Sequence, residues 1–244
     1  MTQVGNGEFW MGDCLDLMRD IPYGSVDMIL CDLPYGTTRN KWDSVIPFEP
    51  LWEQYNRICN GAIVLTSCQP FTSKIVMSNM NGFKHDWVWE KNKASGHLNA
   101  KRRPMRSHEE ILVFGKPTYC PQMTRGHKPG NYAKRAAQSS NYGVAKSTKY
   151  GGQTVRYPRT VQQFPVVNND DPDKWHPTQK PVALFEYLIR TYTNPGDLVL
   201  DNCAGSGTTA IAAERSGRRW LCIEREPEYY FKAYQRVWQE VNTA

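Results

Sequence analysis

Apolar and polar positions alternate along the chain with two periods. Within Ser25 to Gly36, Met28 to Leu30 is an apolar run that ends abruptly in Asp32-Leu33-Pro34-Tyr35-Gly36. Short apolar runs bounded by turn residues read as buried strands. The same reading gives strands at Glu8 to Met11, Ala62 to Thr66, Lys84 to Glu90, Glu110 to Phe114, Leu198 to Leu200 and Trp220 to Glu224. Helical spacing lies between them. Asp13 caps a short helix from Cys14 to Met18. Leu51, Trp52, Tyr55 and Ile58 form the apolar face of a helix that starts at Pro47 and is ended by Asn60-Gly61. Phe71 to Met80 is a third helix, closed by Asn81-Gly82, and Phe185, Leu188, Ile189 and Tyr192 stripe a fourth. Ala210 to Arg215, stopped by Gly217, and Pro227 to about Val241 complete the set. Strands alternating with helices predict an open α/β sheet.

Between Lys116 and Pro172 the periodicity fades into Gly, Tyr, Ser and Lys. A structureless loop of that length is rare inside a compact domain, so the segment reads as an inserted module. The expected organisation is one domain in two parts, 1–115 and 173–244, around an insertion at 116–172. Charge sharpens this division. Residues 101–160 hold 13 Lys and Arg against two acids, a surplus of 11 that leaves −5 for the rest of a chain whose net charge is +6. Tyrosines 119, 132, 142, 150 and 157 interleave with the cations, a pattern that favours a nucleic-acid surface over a solvated loop. Seven scattered cysteines with no C-x-x-C pair argue against a disulfide framework or a zinc site, and for reduced thiols in a cytosolic compartment. No apolar stretch is long enough to span a membrane, and no signal pattern opens the chain.

Two constellations carry the chemistry. The first, Asp32-Leu33-Pro34-Tyr35, puts a carboxylate, a proline turn and an aromatic ring at a strand's carboxyl end, the edge where open α/β sheets bind ligands. Alone it would be an ordinary strand end with a β-turn. The second is Asp201-Asn202-Cys203-Ala204-Gly205-Ser206-Gly207-Thr208, a glycine turn between a strand and a helix. Glu224 ends the following strand 19 residues after Gly205, about where an acid meets a ribose hydroxyl pair. There is no Gly-Lys-Ser/Thr, so this is not a triphosphate loop. Asp201 suits a cation and repels phosphate. A ligand with an adenosine, an amino-acid ammonium and no pyrophosphate fits, and S-adenosylmethionine has all three properties.

In these motifs the chain resembles the DNA amino-methyltransferases of the permuted β group, in which an Asp/Ser/Asn-Pro-Pro-Tyr motif precedes the target-recognition region and the cofactor motif Asp-Pro-Phe-x-Gly-Ser-Gly-Thr comes last. His176-Pro177-Thr178-Gln179-Lys180-Pro181 and Gly12-Asp13-Cys14 match that family too. Leu33 departs from it in place of the first proline, and Asn202-Cys203 departs in place of Pro-Phe, which weakens the expected apolar packing around the cofactor. The resemblance implies a Rossmann-like S-adenosylmethionine-dependent fold in permuted order, with 1–115 as the catalytic half, 173–244 as the cofactor half and 116–172 recognising double-stranded DNA. It implies methyl transfer to the N6 amine of a flipped-out adenine, since the family tends to carry Ser rather than Asp where cytosine N4 is the target. Asp32 and the Leu33 carbonyl would accept the amine's N–H bonds, with Pro34 shaping the turn and Tyr35 stacking on the base. Glu224 would hold the ribose, Asp201 and residues Gly205, Ser206, Gly207 and Thr208 would surround the methionine and sugar, Asp13 would lie near the adenine, His176 and Lys180 would approach the methionine carboxylate, and Cys14 and Asp32 would also belong to the cofactor site. It also implies a cytoplasmic protein, bacterial or phage-encoded, in a restriction-modification setting. No metal is expected and oligomeric state stays open, a homodimer included.

Rival readings are methylation of cytosine N4, a nicotinamide oxidoreductase and an inactive DNA-binding protein. Protein-glutamine and ribosomal-RNA methyltransferases share Asn-Pro-Pro-Tyr but place the glycine motif before it. Cys68-Gln69-Pro70 and Cys120-Pro121-Gln122 lack the Pro-Cys order of cytosine-C5 nucleophiles, and Trp42 reads equally as base-pocket wall or loop anchor.

Overall fold

The structure, a computed structural model of the 244-residue chain, describes all residues except 39, 41, 42, 135, 136, 140–142, 146, 147, 172, 173 and 244. Trp42, Tyr142, Arg135 and Lys146 therefore lie outside the described residues. Two compact units form, one from Met1–Cys120 with Thr160–Ala244 and one from Pro121–Arg159.

In chain order the first unit begins with β1 (Thr2–Val4), β2 (Gly7–Met11), α1 (Cys14–Leu17), β3 (Val26–Cys31), α2 (Phe48–Ile58), β4 (Cys59–Ser67), α3 (Phe71–Ser78), β5 (Phe83–Ser95) and β6 (Arg106–Gly115). The second unit carries β7 (Gly130–Lys134), β8 (Ala137–Ser139), β9 (Gly143–Ala145) and β10 (Thr148–Gln153) as two antiparallel ribbons, β7 with β10 and β8 with β9. The chain then returns to the first unit as β11 (Val161–Phe164), α4 (Val182–Tyr192), β12 (Leu198–Asp201), α5 (Thr208–Arg215), β13 (Arg219–Glu224) and α6 (Pro227–Thr243).

Among the described residues the first unit has one sheet, ordered β1-β2-β13-β12-β3-β4-β6-β5-β11. The five strands from β2 to β4 run parallel, while β6 is antiparallel to its neighbours β4 and β5. From β3 the chain winds through α2 to β4 on one side, and from β12 it winds through α5 to β13 on the other. The order therefore reverses between the adjacent strands β3 and β12, and such a switch point opens a crevice at the strands' carboxyl ends.

Period-2 alternation divides the core between the two faces of the sheet. Met28, Leu30, Ala62 and Val64 join α4, α5 and α6 in one cluster, and Ile29, Cys31, Ile63 and Leu65 join α2 and α3 in the other. Both sides of the central strands are covered, which is why they read as unbroken apolar runs.

Three expectations change. Asn60-Gly61 does not cap α2, because Cys59 leads straight into β4; Gly61 is required by close approach, since a Cβ there would meet the Asp27 carbonyl oxygen at 1.9 Å. The insertion is Pro121–Arg159 rather than 116–172, because residues 161–164 return as β11 and pair in parallel with β5. The hairpin of β5 and β6 also extends well past the expected strands, to Ser95 and Arg106. No described helix is long and apolar enough to cross a membrane.

Candidate active site

A cavity of about 660 Å³ opens at the switch point. Its wall includes Asp32, Leu33, Pro34 and Tyr35 beyond β3, Gly205, Ser206 and Thr208 beyond β12, and Glu224 at the tip of β13. Asp13, Cys14, His176, Lys180 and Asp201 line it as well. Thus every sequence-predicted site residue but one shares a single cavity. The exception is Gly207, which begins α5 with φ +72° and faces α6: a Cβ there would meet Val237 at 3.1 Å and Ala233 at 3.3 Å. Gly205, at φ +52°, has nothing nearer than 3.9 Å from where a Cβ would stand, so its turn is an open cradle.

Asp32 is held from three sides. The Tyr35 hydroxyl donates to its Oδ1 at 2.6 Å and lies 3.0 Å from the Thr66 hydroxyl, which donates to the same oxygen. Lys180 Nζ lies 2.5 Å from Oδ2. Burial alone would push the Asp32 carboxyl up, but the Lys180 ammonium and the two hydroxyls outweigh it and hold the group below the usual carboxylate range. Asp32 is therefore an ionised acceptor. Burial works against the Lys180 charge, yet the flanking Asp32 and Glu109 carboxylates raise its pKa. Lys180 thus bonds Asp32 and has the Glu109 carboxylate 3.5 Å away. The Tyr35 ring packs on Phe71, with centroids 5.1 Å apart.

The glycine turn is braced by side chains. Glu224 accepts from the Gly205 N–H at 2.8 Å and the Glu226 N–H at 2.9 Å, and burial raises its pKa. Asp201 accepts from the Thr209 hydroxyl at 2.5 Å and the Cys203 N–H at 3.0 Å; burial pushes it up to about 6 despite those bonds. Asp201 thus acts on the turn itself, with no cationic side chain beside it among these partners. Asn202 is buried and accepts from the Tyr55 hydroxyl at 2.5 Å, a polar tie to α2 at the position where the motif departs from Pro-Phe. Asp13 caps α1 as expected, accepting from Leu15 N–H at 2.9 Å. His176 packs edge-on against Tyr229 at 4.3 Å, and burial lowers its pKa to about 4, leaving it neutral near pH 7.

Several residues of the site were not among the sequence candidates. Thr66 arrives on β4 beside β3, and Glu109 on β6 with Lys91 on β5. Lys91 donates to Glu109 Oε1, and both line the cavity with Lys180. Asp43 accepts from the N–H groups of Gly36, Thr37 and Thr38 at 2.8, 2.9 and 2.6 Å, fixing the loop after Tyr35. Arg236 of α6 donates to the Ser206 carbonyl at 2.9 Å. Cys68 also lines the cavity, but burial raises its thiol pKa, and burial likewise pushes Cys31 up to about 12. Neither is primed as a nucleophile.

Asp13, Asp201 and Glu224 put carboxylates around the open Gly205 cradle, which suits hydroxyls and cationic groups better than phosphate, while Lys91, Lys180 and Arg106 also line the cavity. Residues 26–235 match the model of a family described as DNA methylase. The chain is similar to the DNA adenine methyltransferase YhdJ of Escherichia coli (strain K12), with 30% identity over 93% of this chain and 81% of that one. Among solved structures it resembles a complex of M1.HpyAVI with SAM, at TM-score 0.62 and 26% identity over 95% of this chain and 98% of the other. It shares the fold of the PvuII DNA methyltransferase, described as cytosine-N4-specific, at TM-score 0.69 and 18% identity over 99% and 95% of the two chains.

Proposed function

The chain belongs to the DNA methylase family that acts on adenine N6 or cytosine N4, and from that premise we propose that it methylates the N6 amine of adenine in DNA, with S-adenosylmethionine as donor and Asp32 as the acceptor that orients the amine. One observation carries the reading: Asp32 and the Gly205 turn, 173 residues apart in sequence, line one cavity at neighbouring strand tips. The open cradle at Gly205 and the carboxylates around it fit the donor. Glu224 and Asp13 would face its sugar and adenine, and Ser206 and Thr208 would flank its methionine part. When bound it supplies an electrophilic methyl group on a sulfonium.

An exocyclic amine is a weak nucleophile because its lone pair is spread into the ring. Acceptance of its N–H bonds by the Asp32 carboxylate and the Leu33 carbonyl would draw that pair back onto nitrogen and aim it. No covalent enzyme intermediate is needed; positioning and electrostatics do the work. A paired base cannot reach the cavity floor, so the adenine enters flipped out, against Tyr35. The basic stretch 101–160 holds the duplex, and the unit at Pro121–Arg159 contributes to target recognition. Asp32, rather than Ser, at the first motif position favours adenine. Incubating the wild-type protein with radiolabelled donor and mixed-sequence DNA, followed by nucleoside mapping, tests this: N6-methyladenine is expected. N4-methylcytosine would reassign the base, and no methylated base at all would overturn the activity.

A further inference from the structure

We propose that Lys180 has two seats, Asp32 in the resting protein and Glu109 when the target amine reaches Asp32, with Glu109 as the positioning residue that draws Lys180 away. This rests on the reading of Asp32 as the amine's acceptor. Both hydroxyl donors to Asp32 converge on Oδ1, so Oδ2 is the oxygen that faces an incoming N–H. In the resting protein that oxygen is occupied by Lys180 Nζ at 2.5 Å. A carboxylate paired with an ammonium is a weaker acceptor for a neutral amine. A nitrogen that has taken up a methyl group is also cationic until it sheds a proton, and an adjacent ammonium opposes that charge.

Glu109 is built to receive the displaced cation. Its Oε1 is fixed by Lys91, while its Oε2 is buried and makes no hydrogen bond. Buried acceptors are seldom left open, because each one forgoes the hydrogen bonds that water gave it. The Lys180 ammonium is 3.5 Å from this oxygen, so a small rotation of a flexible four-carbon stem closes the bond. Asp32, Glu109, Lys91 and Lys180 sum to zero charge, and the exchange keeps that sum. It leaves Asp32 anionic toward the cationic donor and the amine.

A double-mutant cycle tests the proposal. Glu109→Gln keeps the shape of the seat and removes its charge. Its single-turnover methyl-transfer rate should fall about tenfold or more. Equilibrium dialysis of S-adenosylmethionine and the fluorescence of DNA with 2-aminopurine at the target base should stay near wild type. Because Glu109 acts through Lys180, adding Glu109→Gln to a Lys180→Gln protein should cost nothing further. A wild-type rate in Glu109→Gln, or a loss that multiplies fully with that of Lys180→Gln, overturns the two-seat account. Should Glu109→Gln fail to fold, Glu109→Asp keeps the charge, withdraws the carboxylate by one methylene and carries the same cycle with the same two outcomes. If Asp32→Ala still transfers methyl groups, the underlying reading of Asp32 has failed; if it does not, and Glu109→Gln is normal, only the two-seat account has.

Discussion

Replacing Tyr35 with Phe removes one oxygen and keeps the ring. The lost group donates at 2.6 Å to Asp32 Oδ1, whose carboxylate is ionised. A hydrogen bond to a charged partner contributes about 1.5–3 kcal/mol, and one pKa unit corresponds to about 1.4 kcal/mol. Complete loss would raise the Asp32 pKa by roughly one to two units. The Asp32 side chain is 24% exposed and keeps Thr66 and Lys180, so the lower figure applies. The sign follows from which form is bonded: the phenol stabilises the anion, so its removal favours the acid. The acid limb of the pH–rate profile should therefore move toward neutral pH by about one unit, while the plateau near pH 7 changes less. Single-turnover transfer of labelled methyl groups to DNA, measured from about pH 3 to 8, reads both. An acid limb that stays in place or moves to lower pH would refute the reasoning. So would a loss equal at every pH, which would make the phenol a positioning group and not an electrostatic one.

Two further substitutions probe the frame of the site. Tyr55→Phe strips buried Asn202 Oδ1 of its 2.5 Å donor and should cost about 1–3 kcal/mol. For a chain of this size, that appears in a thermal melt followed by circular dichroism as a midpoint lower by about 2–12 °C, and an unchanged midpoint would remove the α2 tie from the account. Asp43→Asn sets an amide against three N–H donors and should likewise lose about 1–3 kcal/mol at pH 7 in urea unfolding. Those N–H bonds outweigh burial and hold the Asp43 carboxyl below its usual range. The stabilisation is thus complete above the unfolded carboxyl's pKa of about 3.9 and is lost as pH falls through the lower folded value. The gap between wild type and variant should shrink below about pH 4, and a gap independent of pH would contradict the assignment.

What the sequence disclosed was local. Asp13 before Cys14 announces its own helix, and the alternation of Met28 and Leu30 against Ile29 and Cys31 announces a strand covered on both faces. The turn at Gly205 and the acid at Glu224 lie within one β-α-β unit, so their spacing was enough to pair them. The charges around Asp32 were not legible in this way. Thr66, Lys91 and Glu109 come from β4, β5 and β6, and only the pairing of those strands assembles them. Lys180 was found by motif, but its partner is set by the fold, 148 positions away. Arg236 and Asp43 were not among the candidates, because nothing local indicates that one meets the Ser206 carbonyl and the other gathers three backbone N–H groups. The strand β11 was missed because its four residues, Val-Gln-Gln-Phe, lie in a polar stretch and gain their order from β5.

In the proposed function two strand tips act as one site, Asp32 serving transfer and the Gly205 turn serving binding. Asp32→Ala separates these roles directly: equilibrium dialysis should give S-adenosylmethionine affinity close to wild type, while labelled methyl transfer to DNA falls to background. Methyl transfer that survives the substitution would contradict it.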